Sequence, residues 1–277
     1  MEFASPFDDD RRLEARRIPI GDDHALMLVR DVTQLNRLLT MRQDFVANVS
    51  HELRTPLTVV VGYLETMSSE DLDMDTVREL LAKLESPTSR MRALVDDLLL
   101  LSRLEASPQP ADDELDPIDM ATVIRGCVAE AKVLSEGRHR FTVTCDRSVR
   151  LLGVENEIYS TTLNLLTNAV RYSPDGGAIS VSWARTGAAA TLSVTDEGIG
   201  IAPEHLQRIT ERFYRVDLAK SRVRGGTGLG LAIVKHVLKR HRSALQVRSE
   251  LGRGSTFFCE FPAAQLQLTD KDQQEAS

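Results

Sequence analysis

The sequence predicts a helical hairpin that pairs with a second copy into a four-helix bundle, followed by an α/β sandwich with one helical layer on a mixed sheet. Three observations lead there. Between residues 34 and 105 apolar side chains recur at three- and four-residue steps, the period of long amphipathic helices. Residues 106–117 are rich in proline and acid and read as a hinge. Beyond them short period-2 runs alternate with helical ones, the pattern of a sheet carrying helices. A length of 277 residues leaves room for about two domains, and a hydrophobic fraction of 42% is ordinary for a chain that buries a core. The net charge of −7 argues against nucleic acid as a bulk electrostatic partner.

In chain order, an acidic-basic cluster (Asp8, Asp9, Asp10, Arg11, Arg12) precedes two strand-like runs, 13–20 and 25–29, joined by Gly21-Asp22-Asp23 as a hairpin turn. Leu26-Met27-Leu28-Val29-Arg30-Asp31-Val32-Thr33 resembles the closing strand of a PAS sensory domain. The resemblance implies that residues 1–33 are the C-terminal remnant of one, with the first five residues reading as a truncation start; the alternative is an irregular N-terminal arm. From Gln34 a helical pattern runs past Pro56, which removes one N–H and bends the helix, to a turn at Ser68-Ser69-Glu70-Asp71. A second helix carries Met74, Val77, Leu81, Leu84, Met91, Leu94, Val95, Leu98, Leu101 and Leu104, with Pro87 inside it. A hairpin over 34–105 buries too little alone, so a homodimer is expected. After the linker 106–117, residues 118–264 should hold helices at 120–135, 155–172, 203–210 and 229–241. Strands should lie at 140–146, 149–153, 178–184, 190–196, 244–250 and 255–261, and 265–277 reads as a polar tail. Cys127, Cys145 and Cys259 show neither disulfide nor zinc spacing. No run reaches the ~18–20 apolar residues of a membrane span, the richest, 59–64, being broken by Gly62.

His51 stands out within the first helix. Phe45, Val49, Leu53, Leu57 or Pro56, Val60, Leu64 and Met67 make an apolar seam, and His51 lies on the opposite, polar side. Glu52 can reach one ring nitrogen, fixing the tautomer and leaving the other nitrogen basic. Thr55, one turn on, offers a hydroxyl on the same face. An exposed neutral imidazole beside a carboxylate is a nucleophile.

In the second domain, Asn164, Asn168, Arg171 and Tyr172 share one face of a helix whose core side is read as Ile158, Leu163, Leu166 and Val170. Amide oxygens in such a place suit Mg²⁺ together with phosphate and water. Thr195-Asp196-Glu197-Gly198-Ile199-Gly200-Ile201 ends a strand in a carboxylate, which accepts from an exocyclic amine, and in glycines that admit a planar ligand. Glu211-Arg212-Phe213-Tyr214-Arg215 precedes Lys220-Ser221-Arg222-Val223-Arg224, a basic polar loop suited to covering an anion. Gly225-Gly226-Thr227-Gly228-Leu229-Gly230-Leu231 leads into a helix, so backbone N–H groups and the helix dipole favour phosphate there. Neither G-x-x-x-x-G-K-[ST] nor a strand-linked G-x-G-x-x-G occurs, and no Asp-Phe-Gly exists, which excludes P-loop, Rossmann and eukaryotic-type kinase sites.

His51-Glu52-Leu53-Arg54-Thr55-Pro56-Leu57 resembles the phosphoacceptor box of the sensor histidine kinases of two-component systems. The four later segments, in order, resemble the N, G1, F and G2 boxes of that family's ATP-binding domain, a fold shared with gyrase-type ATPases and Hsp90-type chaperones. Gly252-Arg253-Gly254-Ser255-Thr256-Phe257 resembles its closing strand. The wording Thr210-Glu211-Arg212-Phe213-Tyr214-Arg215-Val216-Asp217 and Gly228 to His236 resembles the phosphate-regulon sensor kinases.

The resemblance implies that His51 takes the γ-phosphoryl of ATP, that Glu52 assists as base, and that Thr55 serves dephosphorylation of a response regulator. It further implies Asn168 as ligand to Mg²⁺, Asn164 and Arg171 near the phosphates, Tyr172 beside the base and Asp196 on the adenine amine. Gly198 and Gly200 would admit the base, while Gly226, Thr227, Gly228, Leu229 and Gly230 would make the phosphate lid. Arg171 stands where many members have lysine, so charge is kept with a different fork. The protein implied is a homodimer on the cytoplasmic side of the inner membrane, anchored through an N-terminal part outside this chain, with a response-regulator receiver domain as partner. Two rivals are a gyrase- or chaperone-type ATPase, which leaves the His51 box unused, and a non-enzymatic dimeric scaffold, against which the complete Asn, Asp and Gly set speaks.

Overall fold

The computed structural model describes residues 2–5, 8–20, 24–68, 72–216 and 226–269. The chain divides into two compact units, Met1–Thr66 and Met67–Ser277. In the first, β1 (Glu2–Ser5), β2 (Asp8–Ile20) and β3 (His24–Asp31) form an antiparallel sheet in the order β1-β2-β3. The expected hairpin pairs from Leu13 opposite Asp31 to Ile20 opposite His24. Its turn, Gly21-Asp22-Asp23, lies outside the described residues. Strand β2 starts earlier than its own pattern implies because β1 pairs with its first half, Phe3 opposite Leu13.

Helix α1 (Thr33–Met67) follows directly. The Asp31 carboxylate accepts the Thr33 N–H at 2.9 Å, and the Thr33 hydroxyl oxygen accepts the Arg12 N–H at 2.8 Å, tying the strand to the start of the helix. Along α1 the less exposed apolar positions are Phe45, Val49, Leu53, Pro56, Val60 and Tyr63, a four-four-three-four-three spacing. The seam thus takes Pro56 and Tyr63 where the pattern also offered Leu57 and Leu64, which stay 51% and 48% exposed. At 3.6 residues per turn both steps fit, so periodicity alone cannot choose.

In the second unit α2 (Met74–Ala106) is capped by Asp73, whose carboxylate accepts the Thr76 N–H at 2.7 Å. Its buried residues are Leu80, Leu94, Leu101 and Leu104; Met74, Leu81 and Val95, expected on the same face, are exposed. Helices α3 (Met120–Ser135), α4 (Glu155–Arg171) and α5 (Gly230–Arg240) form a layer on a five-stranded sheet. That sheet runs β5 (His139–Cys145), β7 (Gly177–Thr186), β8 (Ala189–Asp196), β10 (Gly254–Phe261), β9 (Leu245–Glu250), parallel only between β5 and β7. A small antiparallel sheet of β11 (Leu266–Leu268), β6 (Val149–Gly153) and β4 (Asp116–Ile118) closes one side. Strands β4 and β11 arise from stretches read as hinge and tail, since three-residue strands leave too little pattern to read.

The core is centred on Trp183 and Phe261, both fully buried, with rings 5.9 Å apart and tilted by 60°. The indole N–H donates to the Val149 carbonyl at 3.2 Å, so the largest side chain is buried without an orphaned donor. Residues 203–210, expected as an α-helix, hold only a 3₁₀ turn at Pro203–His205 followed by further turns. Its bonds reach three residues back, from His205 to Ala202 and from Leu206 to Pro203, the geometry short segments adopt.

Candidate active site

Helix α4 starts at Val154 without a side-chain cap, and its first free N–H groups need a partner. His241 supplies one: its Nε2 accepts the Val154 N–H at 3.1 Å while Nδ1 donates to the Val237 carbonyl at 2.9 Å. This is the bonding of a neutral imidazole, and burial pulls its pKa below the ordinary histidine value. A second tie is the fork of Arg240 on Glu157, 3.1 Å at each arm. Together they fix α4 against α5, so the polar faces of both helices border one cavity.

The polar end of that cavity, about 280 Å³, is lined by Asn164, Asn168 and Arg171 at steps of four and three on α4, with Gly226, Thr227 and Gly228 opposite. Leu163, expected in the core, is half-buried and lines it as well. The Asn164 amide donates from Nδ2 to the Ser160 carbonyl at 2.9 Å, which directs Oδ1 toward Gly230. A Cβ at Gly230 would come within 2.4 Å of that oxygen, so a side chain there would displace the Asn164 amide from this position. Among the described residues the side chain of Asn168 has no hydrogen-bond partner, although it faces the cavity. The Arg171 guanidinium is held below its ordinary pKa by burial. Leu229 is fully buried and contributes only an N–H, donated to the Thr227 hydroxyl at 3.2 Å. Lys220 to Arg224 and Gly225 lie outside the described residues.

The adjoining apolar end, about 140 Å³, is lined by Ile199, Ile201, Leu231, Leu251 and Phe257, with Asp196 its carboxylate. Strand periodicity puts Asp196 there: on β8 it follows Leu192 and Val194 on the inward face, and it is 4% exposed. Its Oδ1 accepts the Gly198 N–H at 2.9 Å. Burial pushes this carboxyl above the usual carboxylate range, against the backbone N–H groups of Gly198 and Ser255 that favour the ionised form. Gly198 holds the carboxylate rather than lining the cavity. Gly200 sits at φ +67°, and a Cβ there would fall 2.0 Å from the Glu250 carbonyl, so only glycine lets the two loops meet. Tyr172 borders both ends.

Further residues belong to the site that sequence reasoning did not assign. Tyr214 borders both ends and is held by His205, whose Nδ1 lies 2.7 Å from the phenol oxygen, and by Arg208, stacked 4.2 Å over the ring. Arg215 lines the polar end and donates to the Gly226 carbonyl. Asp97 of α2 closes the same end from a position 130 residues away from its partner Thr227. Tyr214 and Arg215 fall in the segment 211–215 that the sequence singles out, but neither was given a role there.

His51 lies on α1, in the first unit, with its side chain exposed as its place opposite the seam predicts. Thr55 is exposed one turn on, its hydroxyl donating to the His51 carbonyl at 3.2 Å, and Glu52 is half-buried.

Residues 41–107 match the family described as His Kinase A (phospho-acceptor) domain, and residues 153–265 match the histidine kinase-, DNA gyrase B- and HSP90-like ATPases. The phosphate regulon sensor protein PhoR of Pseudomonas aeruginosa is 48% identical over 269 residues, 96% of this chain and 60% of that protein. The sensor-like histidine kinase SenX3 of Mycolicibacterium smegmatis is 38% identical over 92% of this chain and 63% of its own length. The chain thus spans a little over half the length of these relatives. Among solved structures, full-length ShkA in complex with AMPPNP superposes with a TM-score of 0.59 at 28% identity, over 79% of this chain and 45% of that one. The histidine kinase AdeS of Acinetobacter baumannii shares the fold, with a TM-score of 0.59 at 24% identity over 77% of this chain and 98% of that one.

Proposed function

The chain belongs to the sensor histidine kinases of the phosphate-regulon type, and from that premise we propose that it transfers the γ-phosphoryl group of ATP to His51 and then to an aspartate of a response regulator. The observation that carries this is the two-part cavity: one buried carboxylate at an apolar end, and amides, a guanidinium and a glycine loop at the other. A base with an exocyclic amine suits the first, and a polyphosphate suits the second.

Asn168 is the residue that would hold Mg²⁺, since its amide faces the cavity with no partner among the described residues; the ion, when bound, neutralises phosphate charge. Asn164 and Arg171 would approach the phosphates and Asp196 would accept from the adenine amine. On α1, Glu52 would orient the His51 ring and draw its proton, and Thr55 would position water for dephosphorylation of the regulator. The apolar seam of α1, on the side opposite His51, supports a homodimer. Among the described residues no helix is long and apolar enough to cross a membrane; membrane anchoring of the whole protein and a role in phosphate-starvation signalling belong to the same proposal. The domain division into a PAS remnant at 1–33, the hairpin at 34–105, a linker at 106–117, the catalytic domain at 118–264 and a tail at 265–277 belongs to the same proposal.

Incubation with γ-labelled ATP tests it. Label on the protein that is lost in acid and kept in base identifies a phosphoramidate; label with the opposite lability, or none, contradicts the proposal.

A further inference from the structure

The polar end of the cavity is not walled by the α/β sandwich alone. Helix α2 packs on α5, and Ala93 and Asp97 of α2 line the cavity beside Arg171 and Thr227. The Thr227 hydroxyl donates to Asp97 Oδ2 at 2.5 Å. The Arg171 guanidinium acts on the same carboxyl as a favourable charge, while burial of Asp97 costs it hydration. Further ties hold α2 in this position. Glu105 pairs with Arg212 and lies 3.4 Å from His236 Nε2, and Arg240 donates to the carbonyls of Ser107 and Pro108 just past the helix end. The Asp97 carboxyl therefore accepts from a hydroxyl in a glycine-lined recess that the Arg171 guanidinium also lines, which is the environment a phosphate oxygen seeks.

We propose that Asp97 is a specificity residue of the nucleotide site: its carboxylate takes the place of a terminal phosphate oxygen on Thr227 in the recess that Arg171 lines, and a triphosphate must displace it, whereas a diphosphate leaves it in place. The inference rests on the cavity being the nucleotide site. Two like charges cannot share one hydroxyl donor in a recess of low dielectric, so the carboxylate and the terminal phosphate compete. Displacement breaks the bond that ties α2 to the glycine loop, so binding of a triphosphate weakens one of the ties on this helix, and the coupling is reciprocal. A diphosphate carries the same base and sugar but not the competing group.

The test is calorimetric titration of the whole chain, parent and Asp97→Asn, with ADP and with a non-hydrolysable ATP analogue, each with Mg²⁺. Asparagine keeps the shape and an acceptor for Thr227 but not the charge. The expected result is analogue binding about tenfold tighter in Asp97→Asn, or about 1.4 kcal/mol, with ADP changed less than about twofold. Analogue affinity unchanged or weakened in the variant, with ADP binding retained, overturns the proposal and leaves the nucleotide site standing. Equal tightening of both ligands also overturns it, since a loosened helix would act on both. Failure of the parent to bind either nucleotide overturns the site assignment itself. Asp97→Ala, which removes the acceptor as well, should give the same split between the two ligands if charge is the cause.

Discussion

Asp196 is held where water hydrates it poorly, and an unliganded carboxylate in such a place costs stability in return for recognition. Asp196→Asn keeps an acceptor for the Gly198 N–H but removes the charge. Nucleotide affinity is expected to fall about 10- to 150-fold, the worth of a hydrogen bond to a charged group of about 1.5–3 kcal/mol. The thermal midpoint of the unliganded protein should rise, because a carboxyl whose pKa is raised on folding is stabilised by protonation and loses that stability as pH rises through its folded value. Titration and a thermal melt on one preparation check both. His241 works in the other sense. Its folded pKa is lowered, so its contribution is whole above about 6.5 and is lost as pH falls through the folded value. Melts of parent and His241→Asn between about pH 7 and pH 5 should show the parent losing stability more steeply; parallel curves would remove His241 from the account.

At the scale of elements, one turn of α1 carries two chemistries. The Thr55 hydroxyl now donates to the His51 carbonyl, a local bond it can leave at little cost, and it is exposed on the face of the histidine. Thr55→Ala should keep most autophosphorylation and lose dephosphorylation of a regulator, whereas Glu52→Ala should lose autophosphorylation, each loss of order 10²–10⁴-fold. Paired assays of label gained from ATP and label lost from a separately phosphorylated regulator read the two; parental dephosphorylation in Thr55→Ala, or parental labelling in Glu52→Ala, contradicts the division. The elements themselves were unevenly legible. Strands β7, β8 and β10 are plain from period 2 because one face is buried against helices and the other is not. Strands β4 and β11 are not, because their partner β6 comes from elsewhere in the chain and supplies the pairing that their own three residues cannot signal. Leu163 was assigned to the core since an apolar residue one step from a polar face fits either side, and only the position of the glycine loop decides.

For the whole molecule, the segments carrying polar and glycine residues were readable because chemistry demands those residue types in short, contiguous runs: Asn164 to Arg171, Asp196 to Gly200, Gly226 to Gly230. What sequence could not give is the wall contributed across long separations. Nothing around Asp97 marks it off from the acidic residues of any amphipathic helix, and its role appears only when α2 is packed on α5. Tyr214 and Arg215 likewise acquire meaning from the His205 and Arg208 that hold the ring and from the cavity they border. The central claim is that acceptor and nucleotide site are separate parts of one kinase, His51 on a helix of the first unit and the cavity in the second. The most direct measurement is labelling of His51→Gln by γ-labelled ATP, with nucleotide affinity determined on the same preparation. The account predicts no label on the chain and an affinity within about twofold of the parent, a difference well under 1.4 kcal/mol. Label persisting on the variant would contradict it.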